Sequence, residues 1–121
     1  MKISKDLDSV LKGLLASIPE IQGAAIVSVE GLPIASLLSP DVDETKIAAM
    51  TAAILSLAER AALELNKGEM EQVYIRGSKG YILVMAAGMN AVLIVITTKE
   101  IKLGLVFLEC KRACQNIVKL I

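Results

Sequence analysis

The sequence contains no histidine and no tryptophan, and it has only two tyrosines and one phenylalanine among 121 residues. Without histidine, the chain lacks the side chain that most often serves as general base, metal ligand or switch near neutral pH. Its 13 basic and 13 acidic residues balance, so no net positive field attracts nucleic acid. The composition therefore argues against histidine-dependent enzymes and against nucleic-acid binding.

The sequence also offers few residues that could form a metal or phosphate site. Cys110 and Cys114 are the only cysteines, whereas a zinc site needs about four ligands, so we expect two buried thiols. A redox role would require them to be exposed. Residues 77–80, Gly-Ser-Lys-Gly, lack the strand–loop–helix context of a phosphate loop and are predicted to form a hairpin turn. No cofactor is predicted, and the protein is not expected to be an enzyme.

Two segments bear on localisation. The N-terminus carries acidic residues and no uninterrupted apolar stretch, so it does not resemble a secretory signal, and we expect a cytoplasmic protein. Residues 81–98 are uncharged and about long enough to span a membrane. However, Gly88 and Asn90 interrupt them, and their β-branched residues suit strands. No membrane insertion is expected.

Hydrophobic periodicity predicts three helices. The first follows Ser4, a candidate N-cap, and ends at Pro19. The second covers residues 43–66, with Asp41 as its cap and Gly68 closing it. The third follows a candidate capping box that begins at Thr97, and its apolar stripe continues to the end of the chain.

Short β-rich runs predict five strands, at residues 24–29, 32–38, 71–76, 81–87 and 91–97. Glycine-containing turns separate most of them, which is typical of hairpins. The last two runs are apolar at nearly every position, so helices should cover both faces of the sheet. We therefore expect one domain over residues 1–121.

The second helix is apolar over about half of its circumference, whereas roughly 100° suffices for one buried face. The stripe of Ile47, Met50, Ile54, Leu57, Ala61 and Leu65 is expected to lie on the sheet. A flank of Ala48, Ala52, Leu55 and Ala62 is expected to pack against a second chain, most simply a copy in a two-fold dimer. The alternative is that these alanines serve only helix propensity.

The sheet edges support the same dimer. Pro33 cannot donate to a ladder, which places its strand at one edge of the sheet. Residues 71–76 alternate polar with apolar and contain no proline, so they can form an open edge to which another chain adds a strand. Glu71, Val73 and Ile75 are therefore predicted to join the flank of the second helix in the dimer interface.

The outer face of the second helix carries Ser56, Glu59, Arg60 and Leu63. One interpretation is a solvated face on which an Arg60–Glu64 ion pair stabilises the helix by about 0.3 kcal/mol. The other is a partner-binding surface, since an exposed leucine beside an arginine suits protein recognition. The sequence leaves both open.

Several fragments together resemble the Roadblock family over almost the whole chain. They are residues 23–27 (Gly-Ala-Ala-Ile-Val), residues 30–35 (Glu-Gly-Leu-Pro-Ile-Ala) and residues 103–106 (Leu-Gly-Leu-Val). The resemblance implies a profilin-like three-layer α/β/α sandwich in the order α-β-β-α-β-β-β-α, with a five-stranded antiparallel sheet. It also implies dimerisation through the third strand and second helix.

In function, the resemblance implies a homodimeric, non-enzymatic regulator or scaffold of a Ras-like small GTPase, of the GTPase-activating partner type. The alternative is a structural adaptor that heterodimerises with a Roadblock paralogue within a dynein- or Ragulator-like complex. A third class, an enzyme or small-ligand sensor that uses a groove between sheet and helix, would need convergent polar groups in that groove.

Overall fold

One antiparallel sheet of five strands lies between two layers of helices. The computed structural model describes residues 2–121. The elements follow the predicted order: α1 Lys2–Ser17, β1 Ile21–Ser28, β2 Pro33–Leu37, α2 Glu44–Glu64, β3 Val73–Gly77, β4 Gly80–Ala87, β5 Ala91–Thr98 and α3 Leu103–Leu120. The predicted α/β/α sandwich is therefore confirmed.

The strand order is β2-β1-β5-β4-β3, and all neighbouring strands run antiparallel. β2, with Pro33, forms one edge and β3 the other, as predicted. The uncharged residues 81–98 form most of the β4–β5 hairpin at the middle of the sheet. Among the described residues, no helix combines the length and hydrophobicity needed to cross a bilayer.

Each face of the sheet has its own apolar core. Leu93 and Val95 of β5 point toward α1 and α3, where they join residues such as Leu11 and Ile117. Val92 and Ile94 point to the other face and pack in the cluster beneath α2. Because neighbouring residues of a strand face opposite sides, two covered faces require the near-continuous apolar sequence of β4 and β5.

The orientation of α2 differs from the prediction. Ala48 is fully buried and Leu55 is 4% exposed, and both belong to the core cluster between α2 and its own sheet. Met50 and Leu57, which were expected on the sheet, are exposed. The stripe carries the larger apolar side chains, so the wheel favoured it, yet residues of the alanine-rich flank lie against the sheet. Ala48 and Leu55 were therefore wrongly assigned to an interface between subunits.

The caps of α2 also differ from the prediction. Asp43, not Asp41, is the N-cap, and its Oδ1 accepts hydrogen bonds from the backbone N–H groups of Thr45 (3.1 Å) and Lys46 (3.3 Å). The helix ends before Gly68. Asn66 adopts a left-handed φ of 60°, and the N–H of Lys67 donates to the carbonyl of Ala62 (2.8 Å), as in a Schellman motif.

The other helix starts were wrong as well. α1 already includes Ser4, so this serine does not cap it. Thr97 lies within β5, where its hydroxyl donates to the carbonyl of Thr98, and α3 begins after Lys102 without a side-chain cap. Hydrophobic periodicity predicted the presence of these helices correctly, whereas the spacing of capping motifs misplaced their N-terminal ends.

Replacing Asp43 with alanine is expected to lower the free energy of unfolding by about 1 kcal/mol, because two N–H groups of the first α2 turn lose their acceptor. Asp41→Ala is the matched control and should change it by less than about 0.5 kcal/mol, since Asp41 is exposed. Urea titrations at one protein concentration measure both. A larger loss for Asp41→Ala would show that the cap is misassigned.

Candidate interaction surfaces

Gly31 lies in the turn between β1 and β2 and shows which side of α2 faces that turn. A Cβ atom built on Gly31 would lie 3.6 Å from Cα of Ala49 and 3.6 Å from Cβ of Ala52. Ala52 therefore lies close to the β1–β2 turn of its own chain, at the end of the sheet where Ser28 pairs with Ala91. Ile47 and Ile54 lie on the other side of α2, because successive helical residues are about 100° apart, and they pack against the same cluster as Ile82, near the other end of the sheet.

That opposite side is apolar. It consists of Ile47, Met50, Ile54, Leu57 and Ala61, and we call it the α2 apolar side. Ile47 and Ile54 are half-buried against the core cluster, while Met50 is exposed and Leu57 is 69% exposed. A helix normally turns such a side toward other apolar groups, so this surface is suited to a partner.

The sheet next to the α2 apolar side is incompletely covered. Ile75 of β3 pairs directly with Ile82 of β4, and Ile82 pairs with Ile96 of β5. We call these three residues, which point to the α2 face, the isoleucine row. Ile82 and Ile96 are half-buried, and Ile75 is 40% exposed. Ile47 and Ile54 of the helix side pack against the same cluster as Ile82 of the row, so the two form one apolar surface, which we call the α2–β3 surface.

The α2–β3 surface ends at the edge strand β3, whose outer side has no partner among the residues that the structure describes. Of the edge residues predicted to lie in a dimer interface, Ile75 lies on the α2–β3 surface, Val73 packs at the α2 cluster and Glu71 precedes the strand. Ala62 is half-buried on α2. Their role in an interface remains a prediction.

The opposite face of β3 carries an aromatic cluster. The Tyr74 ring lies 5.9 Å from the Phe107 ring in an edge-on arrangement, and 6.5 Å from the Tyr81 ring, measured between centroids. These three residues are all of the aromatics in the chain. Tyr74 is nevertheless 53% exposed. Sequence reasoning did not single out this cluster, because its members are distant in sequence.

The four residues of the predicted partner surface are exposed on α2, and we call them the α2 polar side: Ser56, Glu59, Arg60 and Leu63. They lie on the half of the helix that turns away from the α2 apolar side. The predicted ion pair is present, with Arg60 Nε donating to Glu64 Oε1 at 3.0 Å. Leu63 is 64% exposed. The structure groups these residues, and their role remains a prediction.

Of the polar residues beside the open groove between α1 and α3, four are engaged within their own helices, and Asn116 is the fifth. Ser9 and Ser17 donate to backbone carbonyls one turn earlier, and Arg112 donates to Glu109 at 3.0 Å. Among residues 2–121, no three histidine, cysteine or acidic side chains come together as metal ligands would. This groove therefore offers no convergent set of free polar groups for catalysis.

Cys110 and Cys114 are free and buried on the core side of α3, as predicted. Burial raises the pKa of each thiol to about 12. The thiolate, which is the reactive form of cysteine, is therefore disfavoured in the folded chain.

Three helices on the two faces of a five-stranded antiparallel sheet, in this element order, define a profilin-like domain. The sequence agrees: residues 7–97 match the Roadblock/LC7 domain. This chain belongs to the Roadblock/LC7 domain family, and the resemblance noted in the sequence is confirmed.

Three proteins of Methanocaldococcus jannaschii are similar to this chain over 97 residues. The uncharacterised proteins MJ1340 and MJ0310 are each 39% identical, covering 80% of this chain and 84% of the relative. The uncharacterised protein MJ0714 is 36% identical, covering 80% and 81%. One archaeon therefore contains several chains of this kind.

Solved structures share the fold. Myxococcus xanthus MglB has a TM-score of 0.88 at 24% identity, covering 96% of this chain and 87% of that one. A Roadblock/LC7 domain from Streptomyces avermitilis has a TM-score of 0.84 at 23% identity, covering 91% and 92%. Acanthamoeba castellanii profilin II has a TM-score of 0.66 at 14% identity, covering 92% and 95%. These likenesses identify the architecture alone.

Ellman's reagent is expected to leave both thiols largely unmodified at pH 8 in the native protein, because they are buried and protonated. In denaturant, both should react within minutes. Absorbance at 412 nm measures the two rates. Fast modification of the native protein would show that α3 opens readily and that the thiols are accessible.

Proposed function

We propose that this protein is a homodimeric, non-enzymatic regulator or scaffold of a Ras-like small GTPase. The observation that carries the proposal is the position of the exposed apolar surface. Exposed apolar side chains lie on the α2 apolar side, at Met50 and Leu57, and on the open β3 edge, at Ile75, where Ile75 continues the isoleucine row. A self-complementary patch of this kind suits an isologous two-fold interface.

The dimer uses different residues of α2 from those that sequence alone favoured. Met50, Ile54 and Leu57 take the place of Ala48 and Leu55, which are occupied by the chain's own sheet. Burial of an exposed leucine or isoleucine contributes about 1.5–3 kcal/mol. Several such residues in each copy are enough to support a stable dimer.

The GTPase assignment rests on family membership together with the α2 polar side. Membership makes a Ras-like GTPase the expected partner, which the protein would act on by positioning its switch regions. The α2 polar side remains free when the apolar side is covered, and it offers Arg60 and Leu63, an anchor pair suited to recognition. Two such sides would be presented by one dimer.

A structural adaptor that heterodimerises with a Roadblock paralogue is the second candidate. It is favoured by the three related chains of Methanocaldococcus jannaschii, because paralogues in one cell can compete for the same open edge. Native mass spectrometry of this chain mixed with each paralogue from its own organism distinguishes the two. Heterodimers that replace the homodimer would favour the adaptor.

Leu57→Asp is expected to convert the dimer to monomers, raising its dissociation constant at least about 100-fold, because two buried leucines are lost per dimer. Leu63→Asp is the matched control: the same residue type, on the same helix, at similar exposure, but on the other side. Sedimentation velocity measures both, and circular dichroism checks their folding. A dimer that survives Leu57→Asp would exclude the α2 apolar side.

The α2 polar side gives the converse prediction. Arg60→Glu and Leu63→Asp should each weaken binding of the cognate GTPase at least about 10-fold, since anchor residues dominate such interfaces. Both should leave the dimer intact. Calorimetry against every Ras-like GTPase of the source organism, loaded with a GTP analogue, tests this. If no such GTPase binds the wild-type protein, the proposed function is wrong.

A further inference from the structure

An open pocket of about 380 Å³ lies at the edge of the sheet where β4 extends beyond β3. The last pair between the two strands is Val73 with Val84, whereas β4 continues to Ala87. At this level of the sheet, the segment before β3 and the helix α3 form the walls of the pocket beside β4. The pocket thus lies between three elements that are distant in sequence.

Sulfur-containing side chains from all three elements line this pocket. Met70 precedes β3, Met85 belongs to β4 and Cys114 to α3. Met85 is 8% and Cys114 is 6% exposed, and Met70, which also packs at the cluster beneath α2, is half-buried. The chain has only five methionines and two cysteines, so three of them around one pocket are a local concentration of sulfur.

We propose that this pocket, which we call the sulfur pocket, binds a single Cu(I) ion through Cys114, Met70 and Met85. Thiolate and thioether groups are soft ligands, and soft ligands select Cu(I). On binding, the S–H bond of Cys114 breaks and a sulfur–copper bond forms, while the proton passes to the solvent. The oxidation state of the metal does not change.

The chemistry of the lining disfavours other common metal ions. Structural zinc is held by about four cysteine, histidine or carboxylate ligands, and the pocket offers one thiol in a chain without histidine. Magnesium and calcium require several oxygen ligands, and Glu71 is the only carboxylate of the lining. Ala86 and Val118 complete an apolar wall, which offers no side-chain oxygen to a hard cation.

The rim of the sulfur pocket is polar and exposed, which gives an ion a route from water. Its members are Glu71, Gln72, Lys111 and Gln115. One acidic and one basic side chain leave the rim without net charge. At the far end, a Cβ atom on Gly88 would lie 3.2 Å from Cγ2 of Val118. Glycine therefore allows the β4–β5 turn to approach α3 and close that end.

Cys110 provides an internal comparison for Cys114. It lies one turn earlier on the same helix and is 1% exposed, but it does not line the pocket. The two thiols share chemistry, helix and burial, and they differ in access to the sulfur pocket. A site built from three elements therefore requires Cys114 and not Cys110, whereas a site built from the helix alone would require both.

Competition with the chelator bathocuproine disulfonate, under anaerobic conditions and with a thiol-free reductant, measures the affinity of the full chain for Cu(I). The wild-type protein is expected to bind one ion per chain. Cys114→Ala should weaken binding at least about 100-fold, because loss of groups that merely orient ligands already costs about 10–100-fold. Cys110→Ala is the matched control and should change the affinity less than about threefold, since the ligands remain.

The methionines allow a test that leaves both thiols in place. Met85→Leu conserves volume and is expected to weaken binding at least about tenfold through loss of one thioether. Met50→Leu, on the exposed side of α2, should leave the affinity unchanged. Circular dichroism checks the folding of each variant. If Cys114→Ala does not fold, the comparison of Met85→Leu with Met50→Leu decides the proposal.

Every other result contradicts the three-element site. Equal losses in Cys110→Ala and Cys114→Ala would assign the ion to the pair of thiols on α3. Unchanged affinity in Cys114→Ala or in Met85→Leu would place the ion elsewhere, and a wild-type protein that takes up no Cu(I) would exclude the site. X-ray absorption of the loaded protein should show sulfur ligands alone, so nitrogen or oxygen ligands would overturn the assignment.

Discussion

A helix about 10 Å wide that crosses a sheet can cover only part of strands that are eight residues, or about 27 Å, long. On one face of this sheet α1 and α3 together cover the central strands, which are buried beneath them. On the other face α2 is a single covering helix, and the isoleucine row is left half-buried. One further helix of the same kind would complete this layer, which is the physical basis for proposing a second copy as the partner.

The position of β3 links that uncovered face to the edge of the sheet. The strand offers unpaired backbone groups along its outer side, isoleucine toward α2 and an exposed tyrosine toward α3. Strand addition there would satisfy the backbone and extend both cores in one step. Natural sheets usually protect such an edge with proline or charge, as Pro33 does for β2, and β3 has no proline.

One rigid helix carries both proposed functions of the domain. The apolar side of α2 belongs to the α2–β3 surface, and the polar side with Arg60 turns away from it. Because the two sides share a backbone, their separation is fixed by the helical repeat rather than by a flexible loop. A partner bound on the polar side would therefore be held at a defined position relative to the two-fold axis of the proposed dimer.

The sequence by itself determined the family, the element order, both edge strands and the burial of the cysteines, because periodicity, turn residues and fragments such as residues 103–106 are local signals. It did not determine which side of α2 meets the sheet, since Leu55 and Leu57 are equally hydrophobic. Only the tertiary packing settled that rotation: it buries Ala48 and Leu55 and places Gly31 close to Ala49 and Ala52, which are 18 and 21 positions away in the chain. The aromatic cluster likewise exists only through folding, which brings Tyr74 to Phe107 from a different element.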